Sequence, residues 1–331
     1  MSETKTLESG TPKPEIQPTK RRRHRDWGGA VFLLAVGTVG LFMGRLGHLW
    51  IGFDVFSQFG LQALLITVAA LLALAVPRYK GLAAAVFAIV LLVGYGMWPH
   101  MVSRHGLPTV TASPGHKILR VASFNSYIFN DQIDDMEKSI RGLNPDVMVI
   151  VEFGSSKLPL LDRLKADYPY QFTCQTDPPC ETAIISKFPI GDFQARALWA
   201  GPPFISASLG PDWNNLTIFG VHTTRFPHSR AQFTQAREFV RLAETFTGPK
   251  IVMGDFNSTS FSRINESIAD GLDLQRLSYL PSWPASYGFP QLAIDHIFAS
   301  EGIAAASGEV IGDNAGSDHY PIAIAVSVPV N

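Results

Sequence analysis

The chain has 331 residues, 46% of them hydrophobic and 17% charged, with a net charge of −1. Residues 1–115 carry 11 Lys and Arg against 5 Asp and Glu, and residues 116–331 carry 16 against 23. The acidic C-terminal part argues against avid non-specific binding to nucleic acid, which rests on basic side chains neutralising phosphates.

Residues 1–26 form a polar, basic tail ending in Lys20, Arg21, Arg22, Arg23 and Arg25. Three stretches without Asp, Glu, Lys or Arg follow, at 27–44, 55–77 and 81–103. Crossing a bilayer needs roughly 20 apolar residues, so region 27–103 is expected to hold three transmembrane helices. The alternative for the first is a cleavable signal peptide, with the basic run as its charged start. Positive charge stays on the cytoplasmic side. The tail and the loop with Arg78 and Lys80 are therefore expected in the cytoplasm, and the C-terminal part beyond the inner membrane, in a Gram-negative cell the periplasm.

Residues 104–116 have a Gly, Pro and Ser composition that reads as a linker. A globular domain is expected over 117–331. Strands are predicted at 118–124, 147–151, 183–185, 216–221, 251–253, 294–298 and 322–328. Helices are predicted at 131–143 and 229–246, where apolar residues recur at spacings of three and four. The alternation predicts an α/β fold with a mixed sheet content. Cys174 and Cys180 are the only cysteines. The turn-forming spacer between them allows a disulfide, which suits an oxidising compartment; two unpaired thiols are the other reading.

Polar residues cluster at the ends of the predicted strands: Asn125, Glu152, His222, Asp255 with Asn257, Asp295, and Asp318 with His319. Taken singly, each is an ordinary turn, cap or solvated strand end. Taken together, carboxylates and amides converging on one sheet rim make a hard, oxygen-rich site suited to Mg²⁺ or Mn²⁺.

Seven short segments carry a resemblance: Ser123-Phe-Asn125, Pro145-Asp146 with Glu152, Ile185-Ser-Lys-Phe-Pro189, His222-Thr-Thr, Gly254-Asp-Phe-Asn257, Ile294-Asp-His296 and Gly316-Ser-Asp-His319. In this order they resemble the endonuclease/exonuclease/phosphatase superfamily, which includes deoxyribonuclease I, abasic-site endonucleases and neutral sphingomyelinases. The resemblance implies a four-layer α/β sandwich with two mixed sheets and a metal-dependent phosphoester hydrolase. It implies that Glu152, Asn125 and Asp318 serve the metal, and that Asp255 orients or deprotonates the attacking water. Asn257 is implied to hold the phosphate, and Asp295 to fix the tautomer of His319. His222 stands where deoxyribonuclease I and the sphingomyelinases have a second histidine. Glu181 is either its carboxylate partner or a solvated residue beside the cysteine loop.

No counterpart of the abasic-site endonuclease tyrosine lies between Lys187 and His222, which tilts the reading away from DNA repair. Arg225, Arg230, Trp213 and Trp283 are either substrate-facing or ordinary surface and packing residues. The expected partners are the lipid bilayer and a phosphoester substrate, nucleic acid or phospholipid, with no stable protein partner. A catalytically silent membrane protein that binds a phosphorylated ligand is the alternative.

Overall fold

The computed structural model describes residues 28–74, 80–98, 114–174, 180–196 and 201–330. The basic tail, most of the linker and residues 99–103 of the third apolar run lie outside them.

The N-terminal segment is helical: α1 (Gly28–Arg45), two single 3₁₀ turns, α2 (Asp54–Ser57), α3 (Gly60–Leu74) and α4 (Lys80–Met97). Small residues bring α1 and α3 together: a Cβ at Gly37 would overlap the Thr67 hydroxyl. Leu34, Ala70, Leu71, Leu74 and Val90 pack between the helices. The expectation of three transmembrane helices is corrected here. Among the described residues one helix, Gly28–His48, is long and apolar enough to cross a membrane. The second apolar run is a broken pair, Ile51–Ser57 and Gly60–Leu74, bent by 58°. Its break has a physical cause. Asp54, Ser57 and Gln58 are buried polar residues whose partners lie in the globular domain. The helix therefore ends and restarts at the domain surface. Together the two pieces are long and apolar enough for one broken span or a re-entrant loop.

The rest is an α/β domain with two mixed sheets. The first contains β1 (His116–Asn125), β2 (Val147–Val151), β3 (Tyr170–Cys174), β4 (Thr182–Ser186), β11 (Ala304–Ala305), β12 (Val310–Ile311) and β13 (Ile322–Pro329), in the order β11-β13-β1-β2-β4-β3 with β12 on β13. The second contains β5 (Gly191–Arg196), β6 (Phe204–Ser208), β7 (Thr217–His222), β8 (Lys250–Asp255), β9 (Leu274–Arg276) and β10 (Asp295–Ser300), in the order β5-β6-β7-β8-β10-β9. Each sheet is built around one parallel pair, β1 with β2 and β7 with β8. An antiparallel neighbour flanks each pair on both sides.

The layers follow from strand periodicity. In β2, Val147, Val149 and Val151 face the second sheet, where they meet Ile205, Ile218, Ile251 and Met253. Met148 and Ile150 face the other way, against α5 (Ile133–Leu143) and α6 (Leu158–Leu164). The second sheet is covered outside by α7 (Ser229–Ala243) and α8 (Arg263–Gly271), through Phe219, Val252, Phe239 and Ile268. The sheets approach closely at Gly220, where a Cβ would meet the Val149 side chain of β2 at 2.5 Å. Cys174 and Cys180 are joined by a disulfide with Cα atoms 5.6 Å apart, both nearly fully buried. The strand pattern of 118–124, 147–151, 183–185, 216–221, 251–253, 294–298 and 322–328 is realised within a residue or two at most ends. Edge strand β5 and strand β6, with its alternating serines, carried too little apolar signal to be anticipated.

Candidate active site

The strand directions bring the polar residues to one rim. Asn125 ends β1, Glu152 follows β2, and His222 and Asp255 end the parallel pair β7 and β8. Asp295 opens the antiparallel strand β10, opposite Asp255 in register. His319 precedes β13, which runs antiparallel to β1. All six therefore meet where the two sheets share an end.

Local backbone geometry aims them. At Gly254, φ is +147° and a Cβ would overlap the Val221 carbonyl, so a side chain there would push β8 away from β7. Glu152 and Asn257 have φ of +54° and +47°, a left-handed conformation that costs energy without glycine and is retained where the surroundings hold it. For Glu152 the holding group is Lys157. This lysine is fully buried and donates to the carbonyls of Tyr127 (2.8 Å), Ile128 (3.1 Å) and Glu152 (2.9 Å). All three ammonium protons are thus used. Sequence reading missed Lys157. Its signal was weak: a lysine just before an apolar helix reads as a solvated cap.

Asn125 bridges the site. Its Nδ2 donates to Glu152 Oε1 (3.0 Å) and Asp255 Oδ2 (2.9 Å). Its Oδ1 accepts from the Tyr127 amide. Glu152 Oε2 accepts from the Ile128 amide at 2.8 Å. Burial pushes the Glu152 carboxyl up, but His222, Asn125, the Ile128 amide and His319 outweigh it and hold it below its ordinary value. Asp255 is buried, and burial dominates there, pushing it up to about 6 against the opposing pull of His319 and His222. Asn257 caps this carboxylate with its own amide (2.7 Å) and its Nδ2 (3.1 Å).

His319 Nδ1 lies 2.7 Å from Asp295 Oδ2, which also accepts from Ser282 Oγ at 2.6 Å. Burial lowers the imidazole's affinity for its proton, but Asp295 and Asp255 outweigh it and raise the group to about 10. The two carboxylates thus favour the imidazolium form of His319. Its Nε2 and that of His222 each stand 3.7 Å from Asp255 Oδ2, and His222 Nε2 is 3.6 Å from Glu152 Oε1.

Two expected residues turn away from this cluster, although the charge of Asp318 still acts on His319. Asp318 turns its carboxylate to the Trp283 indole, 3.3 Å away. The carboxylates within ion-pair reach of His222 are Glu152 and Asp255. Glu181 is not among them; its charge acts on Lys157 and its carbonyl accepts from the Phe153 amide. Trp213 is a core residue beside Phe188, whereas Arg225 and Arg230 are exposed.

Among the described residues two groups have ligand atoms gathered closely enough to hold a metal, Glu152–His222–Asp255 and Asp255–Asp295–His319. The second is occupied internally by the His319–Asp295 bond, so the first is the better cradle. Asp318 belongs to neither. An ionised Glu152 beside Asp255 fits a hard divalent cation.

The sequence matches the model of the endonuclease/exonuclease/phosphatase family over residues 122–319. The chain belongs to that family. It is a metal-dependent phosphoesterase of this fold, and the span of the match covers the whole rim from β1 to His319. Similar solved structures include sphingomyelinase C from Streptomyces griseocarneus, 14% identical over 65% of this chain and 100% of that one, TM-score 0.51. A humanized D. rerio TDP2 is 14% identical over 63% and 98%, TM-score 0.53. A Staphylococcus aureus beta toxin variant with bound magnesium ions is 17% identical over 63% and 99%, TM-score 0.51. At such identities the likeness speaks for the fold alone. No curated protein matches the chain.

Proposed function

We propose that this chain hydrolyses phosphoesters with Mg²⁺ or Mn²⁺ while attached to a membrane, its α/β domain on the extracytoplasmic side. The observation that carries the hydrolase reading is the geometry of two buried groups, the Asp255 carboxylate and the His319 imidazole, 3.7 Å apart at their nearest atoms with Asp295 holding the far ring nitrogen at 2.7 Å.

Their division of labour follows from charge. Asp255, held by Asn125 and the Asn257 amide, takes a proton from an attacking water. His319 keeps its proton and delivers it from Nε2 to the departing oxygen, with Asp295 fixing the ring through Nδ1. His222 faces the negative charge that builds on the phosphoryl oxygens, while Asn257, donating to Asp255 and the Thr223 carbonyl, holds the base in place. Glu152 would hold the divalent ion, with Asp255 and His222 in the same cluster and Asn125 orienting the carboxylates. When bound, the ion neutralises charge on the phosphoryl oxygens. The magnesium ions in the beta toxin structure support Mg²⁺ as the first ion to test.

Membrane attachment rests on α1. The basic run at Lys20–Arg25 favours a cytoplasmic N-terminus. The other end of α1 is tied to the domain, because Arg263 donates to the Gly47 and His48 carbonyls at 3.3 Å. A crossing by α1 therefore delivers the domain to the far side. The Cys174–Cys180 disulfide supports an oxidising compartment such as the periplasm.

The test uses the full chain in detergent with bis-p-nitrophenyl phosphate. Mg²⁺-dependent turnover, abolished by EDTA and lowered by about 10³-fold in His319→Ala, is the expected result. Undiminished turnover in EDTA, or in His319→Ala, would overturn the mechanism.

A further inference from the structure

The helical segment and the active site are joined by more than a chain linkage. Asp54 is the only Asp or Glu in region 27–103, and it is buried. It accepts from Ser262 Oγ (2.5 Å) and the Arg263 amide (2.8 Å). Gln58 Oε1 accepts from the Thr259 amide at 2.7 Å. Phe261 packs with Leu41, Ala63 and Met97 of the helices. The loop so gripped begins directly after Asn257. Its other side is braced by Asn265, which donates to the Ser258 and Thr259 carbonyls. A buried carboxylate satisfied across an interface fixes orientation, because moving it would leave it unpaired. The site is thus mounted rigidly on the apolar helices.

Aromatic rings continue from that mount to the site. Phe59, one residue before α3, meets Phe226 edge-on at 5.8 Å, and Phe226 meets Trp283 at 6.5 Å. Trp283 donates to Asp318, the neighbour of His319. On the same rim, Phe129, Tyr287 and Phe289 are 80%, 68% and 64% exposed. Phe129 sits in the loop whose Ile128 amide holds Glu152. Tyr287 and Phe289 sit in the loop tied to Asp318 by the Ala285 amide. Large aromatics exposed on the loops around a site mark an interaction surface. Tyrosine favours the headgroup level of a bilayer, and phenylalanine buries in the adjoining interfacial layer.

We infer that this aromatic rim seats in the headgroup layer of the bilayer that holds the helices, and that the site takes its phosphoester from a glycerophospholipid of that bilayer. The inference rests on the hydrolase reading above. The acidic balance of residues 116–331 gives no electrostatic footprint for nucleic acid as the competing substrate.

The experiment uses the full chain in proteoliposomes of phosphatidylethanolamine, phosphatidylglycerol and cardiolipin, with Mg²⁺. Release of water-soluble phosphorus is measured beside hydrolysis of bis-p-nitrophenyl phosphate and of plasmid DNA. Wild type is expected to release lipid phosphorus. The triple variant Phe129→Ser, Tyr287→Ser, Phe289→Ser is expected to lose about tenfold on lipid and to keep its rate on the soluble diester, since none of the three belongs to the catalytic set. Soluble-diester turnover without lipid release, an equal loss on both substrates, or faster cleavage of DNA than of lipid would each overturn the inference while leaving the hydrolase reading intact. Silence on the soluble diester as well would remove the hydrolase reading itself.

Discussion

His319 and Asp295 form a buried pair, Nδ1 to Oδ2 at 2.7 Å, with the opposite ring nitrogen directed at Asp255. The pair sets both the tautomer and the charge of the imidazole. Asp295→Asn removes the charge but retains the shape. It is expected to lower kcat by about 10³-fold or more and to bring the His319 titration, followed by NMR, down from its elevated position. Near-normal turnover, or an unmoved titration, would show that Asp295 does not govern the ring.

Lys157 is a positioning residue for Glu152. Lys157→Met removes a donor shared by three carbonyls, of which those of Tyr127 and Glu152 keep another partner. Loss of such supporting contacts typically weakens metal binding by about 10- to 100-fold. The Mg²⁺ concentration for half-maximal activity should rise accordingly, with a smaller change in rate at saturating Mg²⁺. An unchanged Mg²⁺ requirement would confine Lys157 to a structural role.

His296 predicts an acid limb in stability. Burial, with Arg276 nearby, pushes it down to about 3. Its Nε2 lies 2.8 Å from both the Ser258 carbonyl and Asn265 Nδ2. Between about 3 and 6.5 the unfolded chain takes up a proton that the folded chain refuses, so stability falls as pH drops through this window. The slope is about 1.4 kcal/mol per pH unit for one proton. Denaturant unfolding of wild type against His296→Gln should show that slope in the difference between them. Parallel curves would mean that His296 does not titrate on unfolding.

The orientation across the membrane is open to a direct check. A reporter joined after residue 331 should behave as extracytoplasmic in a Gram-negative host. A cytoplasmic signal would refute the crossing by α1 and remove the compartment argument drawn from the disulfide.

The site was legible in the sequence because strand ends are legible. Val147–Val151 reads as a buried strand, which puts Glu152 at its mouth, and Gly254 leaves room for the close backbone approach beside Asp255. What could not be read was the direction in which polar groups turn. Asp318 adjoins His319 but bonds to Trp283, and Glu181 lies close in sequence to the site without reaching His222. Asp54 looked like a loop charge between two spans. Its role depends on a loop more than 200 residues away, a contact that no local pattern encodes. The same contact breaks the second apolar run, which composition alone read as continuous.

The seam between the two sheets has a consequence for the integrity of the site. Each sheet has a parallel pair with an antiparallel strand on either side. The first sheet brings Asn125, Glu152 and His319 to the rim, and the second brings His222, Asp255 and Asp295. Across the seam Asn125 meets Asp255, Glu152 meets His222 and His319 meets Asp295, at 2.9, 3.6 and 2.7 Å. These three partnerships join the two halves of the domain. Neither half holds a working site alone, and a slip of one sheet over the other would dissolve all three partnerships together.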